Sequence, residues 1–427
     1  MPAAVRRTGS TRLTGIGRLA GRAGQALVDQ VLSSGAQLLL IVLVARQADA
    51  VTFGAVSVAL IAHGFLLGVV RAAIGEVVLL RCRADRSAAR GEACRGLFLA
   101  LVAGVAASVG LLGAAAVVDG EVGHFVALIA LAAPLVYTQD LLRYVAYGTG
   151  RVEQAIFVDG VWLGAQVVVS AVLLAAGEAT PTRLVLVWML GAGVGAAALG
   201  VRRRLWPRPV AVGRWWAAER ARASGFLADF LVSNGMWQGA FLLLSALVPL
   251  AELAALRVAL LSVSPLANLL AGVRSLILAH LADLRTQPAR ALRRAAQLGL
   301  GLAGAAAAYG IALVMLPDPW GAQLFGETWS EALPIVGIVA AAEIVKLPTF
   351  AAIDLIKVIG APLDLVRTRL TSGVLVAGGL LLGGVVAGPR GAAIATGMGY
   401  ALSQAIWWRQ GRALSRRAMI EVTPVPA

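Results

Sequence analysis

The chain has 427 residues, 59% of them hydrophobic and only 14% charged, with a formal net charge of +15 at pH 7 and a mean hydropathy of +0.83. That composition excludes a soluble globular domain, and its repeated apolar runs of about 20 residues read as membrane-spanning helices. The positive charge does not point to nucleic acid, because the arginines sit in short clusters between apolar runs and are not interleaved with aromatic residues as in single-strand binders.

Residues 1–23 are basic, and the apolar run from Gly24 is not followed by a signal-cleavage pattern, so it is expected to be the first span. The whole pattern predicts an all-α integral membrane protein with twelve transmembrane helices. Their approximate limits are 24–45, 52–80, 96–118, 124–148, 154–176, 184–201, 225–248, 253–280, 295–315, 332–358, 370–386 and 391–408. Residues 1–201 form an expected N-terminal lobe of six spans. Residues 202–224 form an interfacial linker with Trp206, Trp215 and Trp216 among its arginines. Residues 225–427 form a C-terminal lobe of six spans and a short basic tail.

Arginine placement sets the orientation. The N-terminal tail, the loops after spans 2, 4, 8 and 10, the central linker and the C-terminal tail hold nearly all arginines outside the spans. The other face has Arg46, Arg183 and Arg390. Both termini are therefore expected in the cytoplasm. Cys82 and Cys94 share one arginine-rich loop on that side and read as reduced thiols.

The second half begins like the first. Asp29-Gln30-Val31-Leu32-Ser33-Ser34-Gly35 returns as Asp229-Phe230-Leu231-Val232-Ser233-Asn234-Gly235, and Ala55–Leu60 faces Ala255–Leu260 at the same offset. Val70-Arg71 is echoed by Val273-Arg274. Two parallel six-span halves place a cavity at their interface.

A charge in the hydrocarbon needs a partner or a watery cavity, so buried charges are the candidates for function. Asp29, Asp229 and Asp159 lie one turn inside spans that start at the cytoplasm. They read either as acids favoured by a helix N-terminus or as a coupling and gating set. Asp140 with Arg143, and Asp354 with Lys357, can pair along their own helices. Glu343 and Lys346 lie near mid-membrane, as an ion pair or as functional groups. Arg71 and Arg274 have no acid one turn away and need a partner on another helix or an anionic ligand. Arg257 lies near the outer end of span 8, within reach of the interface by snorkelling. At mid-depth bases outnumber acids, which suits a phosphate better than an organic cation. His63, His124 and His280 show no metal-ligand spacing, there is no phosphate-cradling loop, and no catalytic set is present, so no enzyme is expected.

Three stretches carry a family resemblance: Phe53–Leu60 opening span 2, Arg143–Arg151 at the turn from span 4 to span 5, and Leu324–Ala332 before span 10. With the six-plus-six layout they resemble the MOP flippase superfamily, and within it the polysaccharide-biosynthesis flippases. The resemblance implies a two-lobed, alternating-access flippase in the plasma membrane. Its cargo would be a polyprenyl-(pyro)phosphate-linked saccharide, carried from the inner to the outer leaflet. The basic residues in the spans then give the expected substrate contacts, with the phosphate held by Arg71 and Arg274, one from each half, and further contacts at Lys346, Arg143 and Arg257. Coupling or gating falls to Glu343, Asp29, Asp229 and Asp159, with H+ or Na+ as the coupling cation and no other cofactor. The partners implied are the lipid-linked saccharide, membrane lipids, and glycosyltransferases or a polysaccharide polymerase. A multidrug antiporter of the same fold and a non-transporting scaffold for glycosyltransferases stay open as alternatives.

Overall fold

The computed structural model describes residues 28–422 except 30 and 361, with the side chains of 267–276, 279, 362, 421 and 422 also left aside. Among the described residues there is no strand. In the first half the helices are α1 (Val31–Gln47), α2 (Ala50–Ala84), α3 (Ala89–Ala115), α4 (Gly120–Ala130), α5 (Ala133–Thr149), α6 (Val152–Ala175) and α7 (Pro181–Arg203). The second half has α8 (Val212–Phe230), α9 (Met236–Ser245), α10 (Leu250–Asp283), α11 (Pro288–Val314), the short α12 (Asp318–Phe325), α13 (Thr328–Lys346) and α14 (Pro348–Ile359). Residues 362–422 are two helices, α15 and α16, that meet at the non-helical Ala387 and Gly388.

Seven of these helices are long and apolar enough to cross a membrane, and α4 with α5, bent by 51°, makes an eighth. Two of the seven are pairs in this numbering, α13 with α14 as one span and α15 with α16. With the latter pair resolved, and with α1, α8–α9 and α10 added, helices occupy all twelve expected positions. The molecule is a multi-pass membrane protein. Exposed residues such as Val105 and Val109 on α3, Val168 and Val172 on α6, and Leu300 and Ile311 on α11 give the lobes an apolar rim for lipid. Lipid tails supply no hydrophobic drive for helix pairing, so close approach relies on small residues. Gly383 on α15 and Gly391 on α16 show this: a Cβ on either would lie 2.2 Å from the carbonyl oxygen of the other.

In the first half, α3 packs on α5, α6 on α7, and α2 on α4. In the second, α13 packs on α10, α11 and the α15–α16 pair. The lobes meet where α2 crosses α9 and α10. At the end away from the arginines the fit is tight. A Cβ on Gly54 of α2 would fall 2.4 Å from the Leu250 carbonyl oxygen, and one on Gly326 would fall 2.7 Å from that of Ala45. Gly326 also has φ of 62°, a backbone conformation that favours glycine.

Two π-helical turns interrupt this crossing. One is Arg71–Gly75 inside α2, and the other is Leu231–Gly235 between α8 and α9. The second contains the repeated Ser-Asn-Gly. Beside them Phe230 fits against Gly68, where a Cβ would lie 2.2 Å from its ring.

Candidate functional site

Between the lobes lies a cavity of about 1390 Å³. At the end away from the arginines the lobes are held together by the Gly54–Leu250 contact. Toward the arginine-rich end the cavity is lined by Asp229, whose side chain is 60% exposed. Its charged lining comprises Arg71, Arg143, Arg257, Lys346, Lys357 and Arg369 against Asp140, Asp229 and Glu343. The wall is therefore basic. What matters chemically is which of these charges already have partners.

The N-lobe charges are woven into one network across four helices. Arg71 on α2 grips Asp140 on α5 with Nε at 2.8 Å and Nη2 at 2.6 Å. This two-pronged geometry is among the stronger pairings a guanidinium makes. Arg143, one turn further on α5, reaches Asp140 at 3.4 Å, Asp29 at 3.0 Å and Asp159 on α6 at 3.0 Å. The contact with Asp159 is close but off the N–H axis, leaving both atoms without a true hydrogen bond. Tyr147 donates to Asp29, and Gln139 donates to Asp159 at 2.5 Å. Asp29 and Asp159 are fully buried. Three carboxylates thus surround two guanidiniums.

The C-lobe charges pair more locally. Lys346 bonds Glu343 at 2.7 Å and lies 5.4 Å from the centre of the Tyr400 ring. Lys357 stands 3.4 Å from Asp354. Asp229, the repeat of Asp29, meets Arg369 on α15 at the cavity mouth. The two copies of that acid therefore sit in unlike places, one sealed in the lobe and one half in water. Several buried oxygens on this wall have no hydrogen-bond partner among the described residues: Oε2 of Glu343, Oε1 of Gln238, Oγ of Ser372 and Oγ1 of Thr396.

Arg257 differs from every other base in the lining. It is half-buried, lines the cavity on the second turn of α10, and has a buried Nε with no acceptor. Among the described residues it makes neither an ion pair nor a hydrogen bond. It lines the cavity from α10, the helix that packs against α2 of the other lobe.

The candidates from the sequence thus fall into three groups. Arg71, Arg143, Asp29 and Asp159 come together. Lys346 with Glu343, and Asp229 with Arg369, form separate pairs. Arg257 stands alone. Arg274 is on α10, with its side chain outside the described residues. Sequence reading missed Tyr147, which lies one turn from Arg143 and was findable by that spacing. It also missed the roles of Gln139 and Arg369, for which the sequence carries no signal.

No family model and no curated protein matches the chain. Solved structures do. An inward-facing multidrug resistance MATE family transporter of the MOP superfamily superposes with a TM-score of 0.69, covering 92% of this chain and 96% of that one at 12% identity. The lipid II flippase MurJ, in an inward closed conformation, gives 0.68 over 93% and 90% at 12% identity. The chain shares the fold of these structures. A third MOP structure, from Pyrococcus furiosus and described as having a binding pocket of reversed polarity, gives 0.61 over 93% and 96% at 13% identity. Within this MOP fold, the cavity just described lies between the two halves that begin with the repeated Asp29 and Asp229 segments.

Proposed function

We propose that this chain is a MOP-type transporter that carries an anionic amphiphile, a polyprenyl-(pyro)phosphate-linked saccharide, across the plasma membrane for cell-surface polysaccharide. The observation that carries this reading is Arg257, a cavity guanidinium with no ion-pair or hydrogen-bond partner among the described residues. A buried cation left unpaired is costly, and an anionic ligand would relieve that cost. Arg71 is already held by Asp140, but its side chain remains 40% exposed and can add a second contact. In this reading the arginine-rich end is cytoplasmic and the cavity is open to the inner leaflet. The phosphate moves to Arg257, the saccharide fills the cavity, and the tail stays in lipid. The N-lobe network holds one more carboxylate than guanidinium, which suits a coupling cation shared by Asp29, Asp140 and Asp159.

The test is translocation of a fluorescent polyprenyl-pyrophosphate oligosaccharide in proteoliposomes. Removing one charged hydrogen-bonding partner costs about 1.5–3 kcal/mol, a ten- to hundredfold loss of affinity. Arg257→Gln should therefore lose transport while remaining folded, and Arg71→Ala should lose part of it. Wild-type transport persisting in Arg257→Gln would overturn the assignment. A second reading, export of organic cations, is favoured by the unpaired Oε2 of Glu343. It predicts drug efflux that Glu343→Gln abolishes and Arg257→Gln spares.

A further inference from the structure

The segment between the lobes presents two faces of opposite character. Its inner face is bolted to the first half. Trp215 donates Nε1 to Glu92 at 2.9 Å, and Arg81 bridges Glu92 at 3.2 Å and Glu219 at 3.5 Å. The Arg208 amide donates to the Cys94 carbonyl at 3.0 Å, and Arg95 to the Val210 carbonyl at 2.7 Å. Glu92 and Glu219 are both buried.

The outer face has no such partners. From 202 to 228 the single acid is Glu219, and it is spent on Arg81 and on Arg222 at 2.5 Å. Arg204, Arg208, Arg214 and Arg220 are exposed and pair with no acid among the described residues. Trp206 and Trp216 are 49% and 44% exposed beside them, although Trp215 next in sequence is buried.

Depth bears on what this face meets. Helical backbone runs from Val212 through the π turn to Ser245, with Leu231 and Met236 both right-handed helical. At about 1.5 Å per residue, Arg220 and Trp216 lie roughly 37 and 43 Å along the helix from Ser245. The hydrocarbon core is about 30 Å thick, and the bilayer with its headgroups is about 40–45 Å. Both distances exceed the thickness of the hydrocarbon core, so this stretch of the helix reaches past the core at the arginine-rich end.

We propose that the outer face of 204–220 is a binding surface for anionic phospholipid headgroups of the leaflet at the arginine-rich end. Phosphates would pair with Arg208, Arg214 and Arg220, with the exposed rings of Trp206 and Trp216 beside them. The charge is complementary, the acids that would compete are turned inward, and the exposed rings stand among the arginines. This surface is separate from the cavity and does not depend on what the cavity carries.

The full chain is reconstituted in vesicles containing either brominated phosphatidylglycerol or brominated phosphatidylcholine at equal mole fraction. Quenching of tryptophan fluorescence is read for wild type and for Trp206→Phe/Trp216→Phe, and the difference isolates the two exposed rings. Quenching of that difference signal should be at least about twofold stronger with the anionic lipid and should lose its preference near 1 M salt, where the Debye length is about 3 Å. Arg208→Gln/Arg214→Gln/Arg220→Gln should abolish the preference without changing the thermal midpoint, because those side chains are exposed. Equal quenching by both lipids would overturn the proposal, as would a preference that survives the triple substitution. Protection of the two rings by soluble polyglutamate, without lipid preference, would also overturn it and mark the face as a protein-docking surface.

Discussion

Replacing Arg143 tests the N-lobe network most directly. Its guanidinium is 12% exposed and stands between three aspartates whose side chains are 0%, 5% and 0% exposed. Asp140 would keep Arg71, and Asp29 and Asp159 would keep only the neutral donors Tyr147 and Gln139. Removing one partner of a buried ion pair costs about 3–5 kcal/mol, because the other charge stays buried and uncompensated. At about 2 °C per kcal/mol for a large chain, Arg143→Met should lower the thermal midpoint by roughly 6–10 °C. Arg143→Lys should recover only part of this, since one ammonium does not span three carboxylates. The decisive variant is Arg143→Met/Asp29→Asn/Asp159→Asn, in which the stranded charges are gone. It should regain more than half of the loss, as measured by intrinsic fluorescence during heating of the purified protein. A drop under about 2 °C in Arg143→Met would refute the energetic argument. So would a triple variant no more stable than the single one.

Other expectations follow from single contacts. Arg257→Met should raise stability by about 1–3 kcal/mol, the cost of an unsatisfied buried polar group. A lower thermal midpoint would mean that Arg257 is a structural member of the lobe interface. Gly54→Val should part the lobes at the end away from the arginines, because the obstacle is the Leu250 backbone and no side chain can move aside. Labelling of Leu250→Cys by a membrane-impermeant maleimide should then rise severalfold, and unchanged labelling would count against this contact. Glu92→Ala removes the acceptor of Trp215 and two arginine contacts, at about 1.5–3 kcal/mol for hydrogen bonds to a charge. Hydrogen exchange in α8 should accelerate about ten- to hundredfold, and an unchanged rate would show that the linker is held by other means.

The order of helices was legible because apolar runs and arginine clusters are local signals. Breaks inside spans were less so. Span 4 bends by 51° between α4 and α5, and the interval between the expected spans 295–315 and 332–358 contains α12. The pairs Asp140–Arg143 and Glu343–Lys346 were readable from their spacing on one helix. The meeting of Asp29, Asp140, Asp159 and Arg71 around Arg143 was not, because contacts between helices depend on rotation and tilt, which the sequence does not encode locally. Arg257 shows the same limit in reverse. Its place near a helix end suggested an interface-seeking side chain, yet the lobe packing turns it into the cavity.

The linker has a mechanical consequence. Two lobes joined by a slack tether could drift apart or turn independently. Here α8 is fastened to the first lobe through Glu92 and Glu219, and it runs by helical backbone into α9 of the second. Such a rod transmits torque. Any rotation of one lobe against the other must be absorbed within the five residues of the π turn Leu231–Gly235 or by releasing the Glu92 bolt. The hinge therefore belongs to the cavity wall as well, because Val232, Ser233 and Asn234 of the π turn line it.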